Sequence, residues 1–261
     1  MDSQNCERKK DVLRLATFMG ELMLSSGAET YRIEDSIKRV CASRGFHHVN
    51  VFIAPATLIV SDDRFDGFTF MKVIKHRSVD LNKVDLINRF SRKFVCETDM
   101  TVCEALEILK HLGNDSPYTK FQTYIATAIG SASFAILAGG NDPVTATLTL
   151  ITAILAMKVN DFVTWLSKIP IFATLVTSSV IAMNGVFLTE IGILNTPKML
   201  IVGTIMPLLP GVPFIKAVRD LISGELMSGL GRVFDAGIVA AAIASGVGIV
   251  INSYIQKGGT L

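Results

Sequence analysis

The sequence predicts a polytopic α-helical membrane protein with five transmembrane helices, one of them discontinuous, and an N-terminal cytosolic α+β domain. Charge is divided along the chain. Residues 1–117 hold 17 Lys/Arg and 17 Asp/Glu, whereas residues 118–261 hold 8 and 6. In the second part, apolar runs near the length needed to cross hydrocarbon recur at about 118–138, 144–159, 169–188, 199–215 and 233–255. Lys/Arg alternate between the connections: the first has none and the third only Lys198. The second has Lys158 and Lys168, and the fourth Lys216, Arg219 and Arg232. That alternation places the N-terminus inside and the C-terminus outside, with Lys257 a mild exception.

The mean hydropathy of +0.46 averages over these two halves. The first twenty residues show no apolar signal core, so residues 1–117 are expected in the cytosol. All four cysteines lie there without C-x-x-C spacing, and the four histidines add no zinc pattern. His47 and His48, read as neighbours on a strand, would point to opposite faces. No cofactor or metal is expected, and nothing in the charge distribution points to nucleic acid.

Within residues 1–117, Val12, Leu15, Phe18, Met19, Leu22 and Met23 recur at helical spacing and Gly27 supplies a stop. Ile33, Ile37, Val40 and Cys41 mark a second helix ending before Gly45. Residues 48–76, rich in β-branched and aromatic types, predict two or three antiparallel strands, with Pro55 at a break or edge and Asp66-Gly67 at a turn. Helices return at 81–94 and 102–112, the latter behind the capping box Thr101-x-x-Glu104.

The fourth apolar run, GTIMPLLPGVPF, sets Pro207, Pro210 and Pro213 three residues apart. Each removes an N–H donor, freeing the carbonyls of Gly203, Met206 and Leu209. Such backbone needs protein or a wet cavity in hydrocarbon. It is either a repaired kink or a broken helix lining a substrate path near the midplane, as in transporters with discontinuous helices. Gly203 and Gly211 allow close approach or irregular dihedrals. Thr177, Ser178 and Asn184 on the third span, with Thr174, and Thr127 and Ser131 on the first, are the candidate polar lining. Small residues repeat every four positions at Ser131, Ala135 and Gly139, at Gly237, Ala241 and Ser245, and at Ala236, Ala240, Ala244 and Gly248. They predict close helix contacts in both spans.

No Asp or Glu lies well inside a span, so a buried carboxylate relay is not visible. Lys216, Arg219, Asp220 and Arg232, beside the broken run, form either an inner gate or a funnel for anions; positive-inside anchoring explains the cations equally. Gly27, Glu29, Arg32 and Glu34, with Asp35, cluster at the second helix. Acid/base chemistry of a membrane-anchored hydrolase is one reading of them and helix-dipole compensation another. A ligand sensor anchored by the spans is the third class. No phosphate loop or nucleophile elbow is present.

Two stretches carry a resemblance. LSSGAETYRIE (24–34) and PLLPGVPFIKAVRDLISGELMSGLGR (207–232) resemble the larger N-terminal module of the threonine/serine exporter family, including its split form, a succinate exporter subunit. The resemblance runs from about residue 13 through the last span. It implies export of a small carboxylate solute, threonine/serine or succinate, from the cytosol across the cytoplasmic membrane, driven by the proton motive force. It implies no enzyme activity. The end of the chain after the fifth span suggests the split arrangement, with a smaller, separately encoded membrane subunit as partner in a hetero-oligomer.

Overall fold

The computed structural model describes residues 3–64, 67–74, 78–114, 118–140 and 142–259. Asp66 of the turn signal, Asn141 of the first loop and residues 115–117 lie outside them. Two compact units result, one of residues 1–117 and 212–234, the other of residues 118–211 and 235–261.

In the first unit α1 (Ser3–Ser25) is the central element. Against it lie α2 (Thr30–Ala42), strands β2 (Thr57–Asp62) and β3 (Thr69–Val73), and helices α3 (Leu81–Cys96) and α4 (Val102–Asn114). Strand β1 (Val49–Ala54) pairs with β2, and β2 with β3, as an antiparallel meander. Pro55 and Ala56 make the tight turn between β1 and β2, where a missing N–H removes no ladder bond. His47 and His48 precede β1 rather than lying on it.

The helical spacing of α1 buries Leu15, Met19 and Met23 against Ile33 and Ile37 of α2, Leu58 of β2 and Phe94 of α3. Gly27 takes φ +78°, a conformation glycine adopts without steric cost, and turns the chain from α1 into α2. The Thr101–Glu104 box is reciprocal: Glu104 N–H donates to Thr101 Oγ1 at 3.3 Å, and Thr101 N–H to Glu104 Oε2 at 3.0 Å. The unit continues with α9 (Gly211–Ile222) and the first residues of α10 (Leu226–Gln256).

One charged group sits inside this core. Asp62, on the inner face of β2, contacts Lys9 Nζ at 2.6 Å and Arg64 Nη2 at 2.8 Å, and its side chain is fully buried. Hydrogen bonds from Arg64 and Lys9 outweigh burial and hold the Asp62 carboxyl well below the usual carboxylate range. The neighbouring Cys41 is buried, and its thiol is pushed up to about 12, which keeps it protonated.

The second unit packs α5 (Lys120–Leu137), α6 (Pro143–Ser167), α7 (Pro170–Glu190) and α8 (Lys198–Ile205), with the later part of α10. Among the described residues α6, α7 and α10 are long and apolar enough to cross a membrane. A fourth candidate is α8 with its following 3₁₀ turn (Met206–Leu208), taken together with α9. Helix α5, of 18 residues, is about 27 Å long.

The second apolar run was expected to be short, but α6 has 25 residues because helix continues through Lys158 and Asp161. Asp161 accepts from Tyr124 Oη at 2.6 Å and lies 3.5 Å from Lys120 Nζ, which stabilises that charge at the end of the apolar stretch. Lys168 in the left-handed region (φ 57°) and Pro170 at the start of α7 then make a very short connection.

Backbones approach through glycine. A methyl on Gly203 would fall 2.6 Å from Ala135 Cβ and 2.7 Å from Ser131 O, so the Ser131/Ala135 stripe is the face α5 turns to α8. Gly246 of α10 plays that part against α7, where Ser179 donates to its carbonyl at 3.2 Å. The predicted stripes on α10 are mostly exposed: of their members only Ala236 is buried, and Gly237 and Gly248 meet no neighbour.

Two expectations follow. Asp62→Ala leaves Lys9 buried beside a lost partner and lowers unfolding stability by about 3–5 kcal/mol. The ordinary aspartate value is near 4 and the folded one lies lower. Asp62 therefore stabilises the fold above about pH 4, and this contribution is lost as pH falls through the folded value. Thermal melts of the detergent-solubilised chain across pH 3–7 read both effects. In the second unit, Gly203→Val is expected to cost at least about 1–3 kcal/mol by overpacking. Gly211→Ala, whose methyl meets nothing, should be neutral or add up to about 1 kcal/mol.

Candidate functional site

Within the first unit, the segment that follows the prolines grips the turn between α1 and α2. Helix α9 is amphipathic: Lys216, Ala217 and Asp220 are buried, while Ile215, Val218 and Ile222 are exposed. Its C-terminal end turns through Gly224 (φ +88°) into α10. The hairpin is close because Gly229 leaves no room for a methyl beside Leu221. Two further small residues bring α10 onto the sheet. A methyl on Gly231 would collide with Pro55, and Ser228 Oγ donates to Ile53 O at 3.0 Å.

The polar face of this hairpin matches the electrostatics of the turn it meets. Helix α1 ends at Ser25, and the carbonyls after it, of Gly27 and Ala28, accept from Lys216 Nζ and, at 3.1 Å, from Arg232 Nη2. Cations therefore sit at the negative end of α1. Helix α2 begins at Thr30 with no side-chain cap from Glu29, its N-cap residue. Asp220 supplies the missing acceptor: Oδ1 takes the Thr30 N–H at 3.4 Å and Oδ2 the Thr30 hydroxyl at 3.2 Å. A carboxylate thus occupies the positive end of α2, the favourable sign for a helix dipole. Arg232 Nε, 3.3 Å from Asp220 Oδ2, compensates the 1 % exposed aspartate.

A second, outer layer closes over the first. Arg219 Nη1 meets Glu29 Oε1 at 2.5 Å, and its Nη2 donates to Tyr31 Oη at 2.9 Å. Its guanidinium lies 5.1 Å from the centre of the Tyr31 ring, within cation–π range. Arg32 Nε lies 2.9 Å from Glu29 Oε2 and donates to Tyr31 Oη at 3.1 Å. The Tyr31 hydrogen bond and the Glu29 charge outweigh burial and raise the Arg32 guanidinium further.

The predicted groups Gly27, Glu29 and Arg32 and Lys216, Arg219, Asp220 and Arg232 are thereby brought into one cluster. Glu34 is not in it. That carboxylate pairs with Lys38 at 2.5 Å, as Asp35 does with Arg39. Ala28, Thr30 and Tyr31 were not singled out in the sequence although they lie inside the 24–34 stretch. Thr30 at a helix start was the available signal.

The other predicted residues belong to the second unit or to its border. Gly203 is packed in α8; Pro207 opens the 3₁₀ turn; Leu209 is extended (ψ 134°); Pro210 follows; and Pro213 stands in the first turn of α9. Pro210 and Pro213 fall where an N–H has no helical partner to lose, whereas Pro207, in the unbroken run from α8 into the 3₁₀ turn, removes the donor to the Gly203 carbonyl. Two of the three carbonyls expected to be free are satisfied locally. Met206 O accepts from Leu209 N–H at 3.2 Å, and Leu209 O from Gly211 N–H at 2.8 Å. On α7, Thr177 and Ser178 are fully buried and Asn184 is half-buried. Ser178 bonds its own helix at Leu175 O, 2.9 Å away, whereas the Thr177 hydroxyl has no partner among the described residues.

A family profile described as "Putative threonine/serine exporter" matches residues 14–254. A Mycobacterium tuberculosis protein named "Probable threonine/serine exporter" is 25 % identical over 95 % of this chain and 47 % of its own length. The Corynebacterium glutamicum "Threonine/serine exporter" is 23 % identical over 92 % of this chain and 51 % of its own. The chain thus spans about half the length of these two. The Escherichia coli "Probable succinate transporter subunit YjjP" is 22 % identical over 97 % of this chain and 98 % of its own length. No solved structure matches. With the profile covering nearly the whole sequence, and both clustered motifs inside the match, the chain belongs to the threonine/serine exporter family.

Proposed function

We propose that this protein is a subunit of a cytoplasmic-membrane exporter of small carboxylate solutes, threonine/serine or succinate, driven by the proton motive force. It works with a smaller, separately encoded membrane partner. Residues 1–117 form the cytosolic domain, and residues 118–261 cross the membrane five times, leaving the C-terminus outside. Membership of an exporter family supports transport over enzyme chemistry, and the word "subunit" in the name of the succinate relatives supports a partner.

The observation that carries this reading is the clasp of Asp220, Arg219, Lys216 and Arg232 on residues 27–31. It ties α9, the segment that follows the break, to the domain before the first span. This supports five crossings independently of the positive-charge pattern. Helix α8 with its 3₁₀ turn is about 18 Å long, and so is α9; each is well short of the roughly 30 Å of hydrocarbon. Two half-length helices meeting at Leu209 and Pro210 are the arrangement in which discontinuous transporter helices meet their substrate.

All three cations of the hairpin are engaged with carbonyls or carboxylates, which favours an inner gate over an open anion funnel. A solute carboxylate competing for Arg219, Arg232 or Lys216 would loosen the clasp, and so couple arrival of cargo to opening. The hydrolase reading has no comparable support, since Glu29, Glu34 and Asp35 are each held by arginine or lysine.

Efflux from cells loaded with threonine, serine or succinate tests this, with the chain alone and with the companion subunit. Efflux of at least one solute is expected when both are present; none of the three leaving faster than from control cells contradicts the exporter assignment. Asp220→Ala removes the acceptor of Thr30 and the buried carboxylate beside Arg232, and is expected to cost about 3–5 kcal/mol of stability and at least tenfold in efflux. Replacing Pro210 and Gly211 together by Ala should abolish efflux while the protein still reaches the membrane. Unchanged efflux would remove the break from the path.

A further inference from the structure

Buried hydroxyls in a bundle of apolar helices ordinarily bond the carbonyl three or four residues back. The second unit follows this rule at Thr149, which bonds Thr145 O, at Thr204, which bonds Leu200 O, and at Ser178 and Ser179, which both bond Leu175 O. Two residues break it. Ser131 on α5 and Thr177 on α7 are each 0 % exposed, and their hydroxyls have no partner among the described residues. A buried hydroxyl without a partner is destabilising, so a fold that retains two of them calls for a reason.

Both lie at the level of the broken segment. Gly185 of α7 is packed on Ile201 of α8, where a methyl would come within 3.0 Å. One turn further on, Ile181 of α7 and Ile205 of α8 meet in one apolar cluster with Leu208. Thr177, one turn before Ile181 on the same face of α7, extends that face toward the level at which α8 gives way to the break. Gly140, just after α5, abuts Met199, and Ala135 and Ser131 of α5 abut Gly203. Helix α5 also packs on the 3₁₀ turn. The two unpartnered hydroxyls therefore stand on α5 and α7, two of the helices packed on α8.

The surroundings limit what they can hold. Among the described residues, every buried polar side chain of this unit is a hydroxyl: Ser131, Thr145, Thr149, Thr152, Thr177, Ser178 and Thr204. No buried Asp, Glu, Lys or Arg stands among them within the described residues. Hydroxyls supply hydrogen bonds but cannot balance a net charge, and an unbalanced charge is very costly to bury.

We propose that Ser131 and Thr177 are solute-binding residues at the break, and that their site takes a small solute of zero net charge, a zwitterionic amino acid, in preference to a dicarboxylate dianion. The site rests on the exporter reading above, to which it adds the contact residues and the charge class. The hydroxyls bond the solute's polar atoms when it occupies the break, and the zwitterion carries its own counter-charge. Ser178, bonded to its own helix and packed on Gly246, is a scaffold residue instead.

Binding to the purified chain in complex with its companion, followed by the shift in melting temperature with serine, threonine or succinate, tests this directly. Serine or threonine should raise the wild-type melting temperature, and succinate should raise it less. Ser131→Ala and Thr177→Val should melt at or above the wild type without solute, because each removes a hydroxyl that has no protein partner. Each should weaken serine or threonine binding at least tenfold, and Ser178→Ala should bind as wild type. The proposal is overturned if succinate stabilises more than serine and threonine, if no solute shifts the melt, or if either variant binds like the wild type. It is also overturned if a variant melts lower without solute, since the hydroxyl would then have a structural role. A failure of export by the wild-type pair in cells, with these binding results intact, would count against the exporter reading and leave the site standing.

Discussion

A carboxylate at position 220 caps a helix that begins 190 residues earlier. Asp220 takes the first N–H and the hydroxyl of Thr30, and Arg232 balances the charge. None of the three is replaceable alone. Removing Asp220 would take away both the acceptor of Thr30 and the carboxylate beside Arg232, and removing Arg232 would leave a buried carboxylate without its arginine. The remaining clasp contacts are built around this one: Lys216 and Arg232 on the carbonyls that end α1, and Arg219 with Glu29 and Tyr31 as the half-exposed cover. Burial makes the inner pairs strong and intolerant of loss; exposure makes the outer pair weak and screened by salt. A strong centre with a weak rim suits a contact that must open as a unit.

The two units use opposite chemistry. In the first, charge is brought into the interior and neutralised side chain by side chain, at Asp62 with Lys9 and Arg64 and again at Asp220. In the second, buried polarity is confined to hydroxyls, and shape is set by glycine contacts at positions 185, 203 and 246. The proline run joins them. Two of the carbonyls that its prolines free are satisfied by the short turns at Met206 and Leu209, so the break is a defined turn rather than a frayed helix.

Much of this was legible in the residues and some was not. The periodicity of α1, the stop at Gly27, the Thr101–Glu104 box and the contact stripe of Ser131 and Ala135 are local, and local patterns report themselves. The length of α6 was missed because Lys158 and Asp161 interrupt its hydropathy, although Asp161 is supported by Tyr124 from another helix. The α10 stripes misled for a related reason: small residues permit close approach but do not say to which neighbour, and the contact formed at Gly246 instead. That three cations near the prolines meet residues 27–31 could not be read from spacing, since nothing in either stretch names its partner across 190 positions. Which hydroxyls go unpartnered is likewise a property of packing.

The clasp is tested most directly by linking its two sides. In a chain freed of its four native cysteines, Thr30→Cys and Asp220→Cys place two thiols where Thr30 Oγ1 and Asp220 Oδ2 lie 3.2 Å apart. Because the pair lacks Asp220, its reduced form should export at least tenfold more slowly than the wild type; a disulfide should form under mild oxidation, stop that residual efflux, and release it again on reduction. Thiols that fail to link, or a linked protein that exports at the rate of its reduced form, would contradict the account.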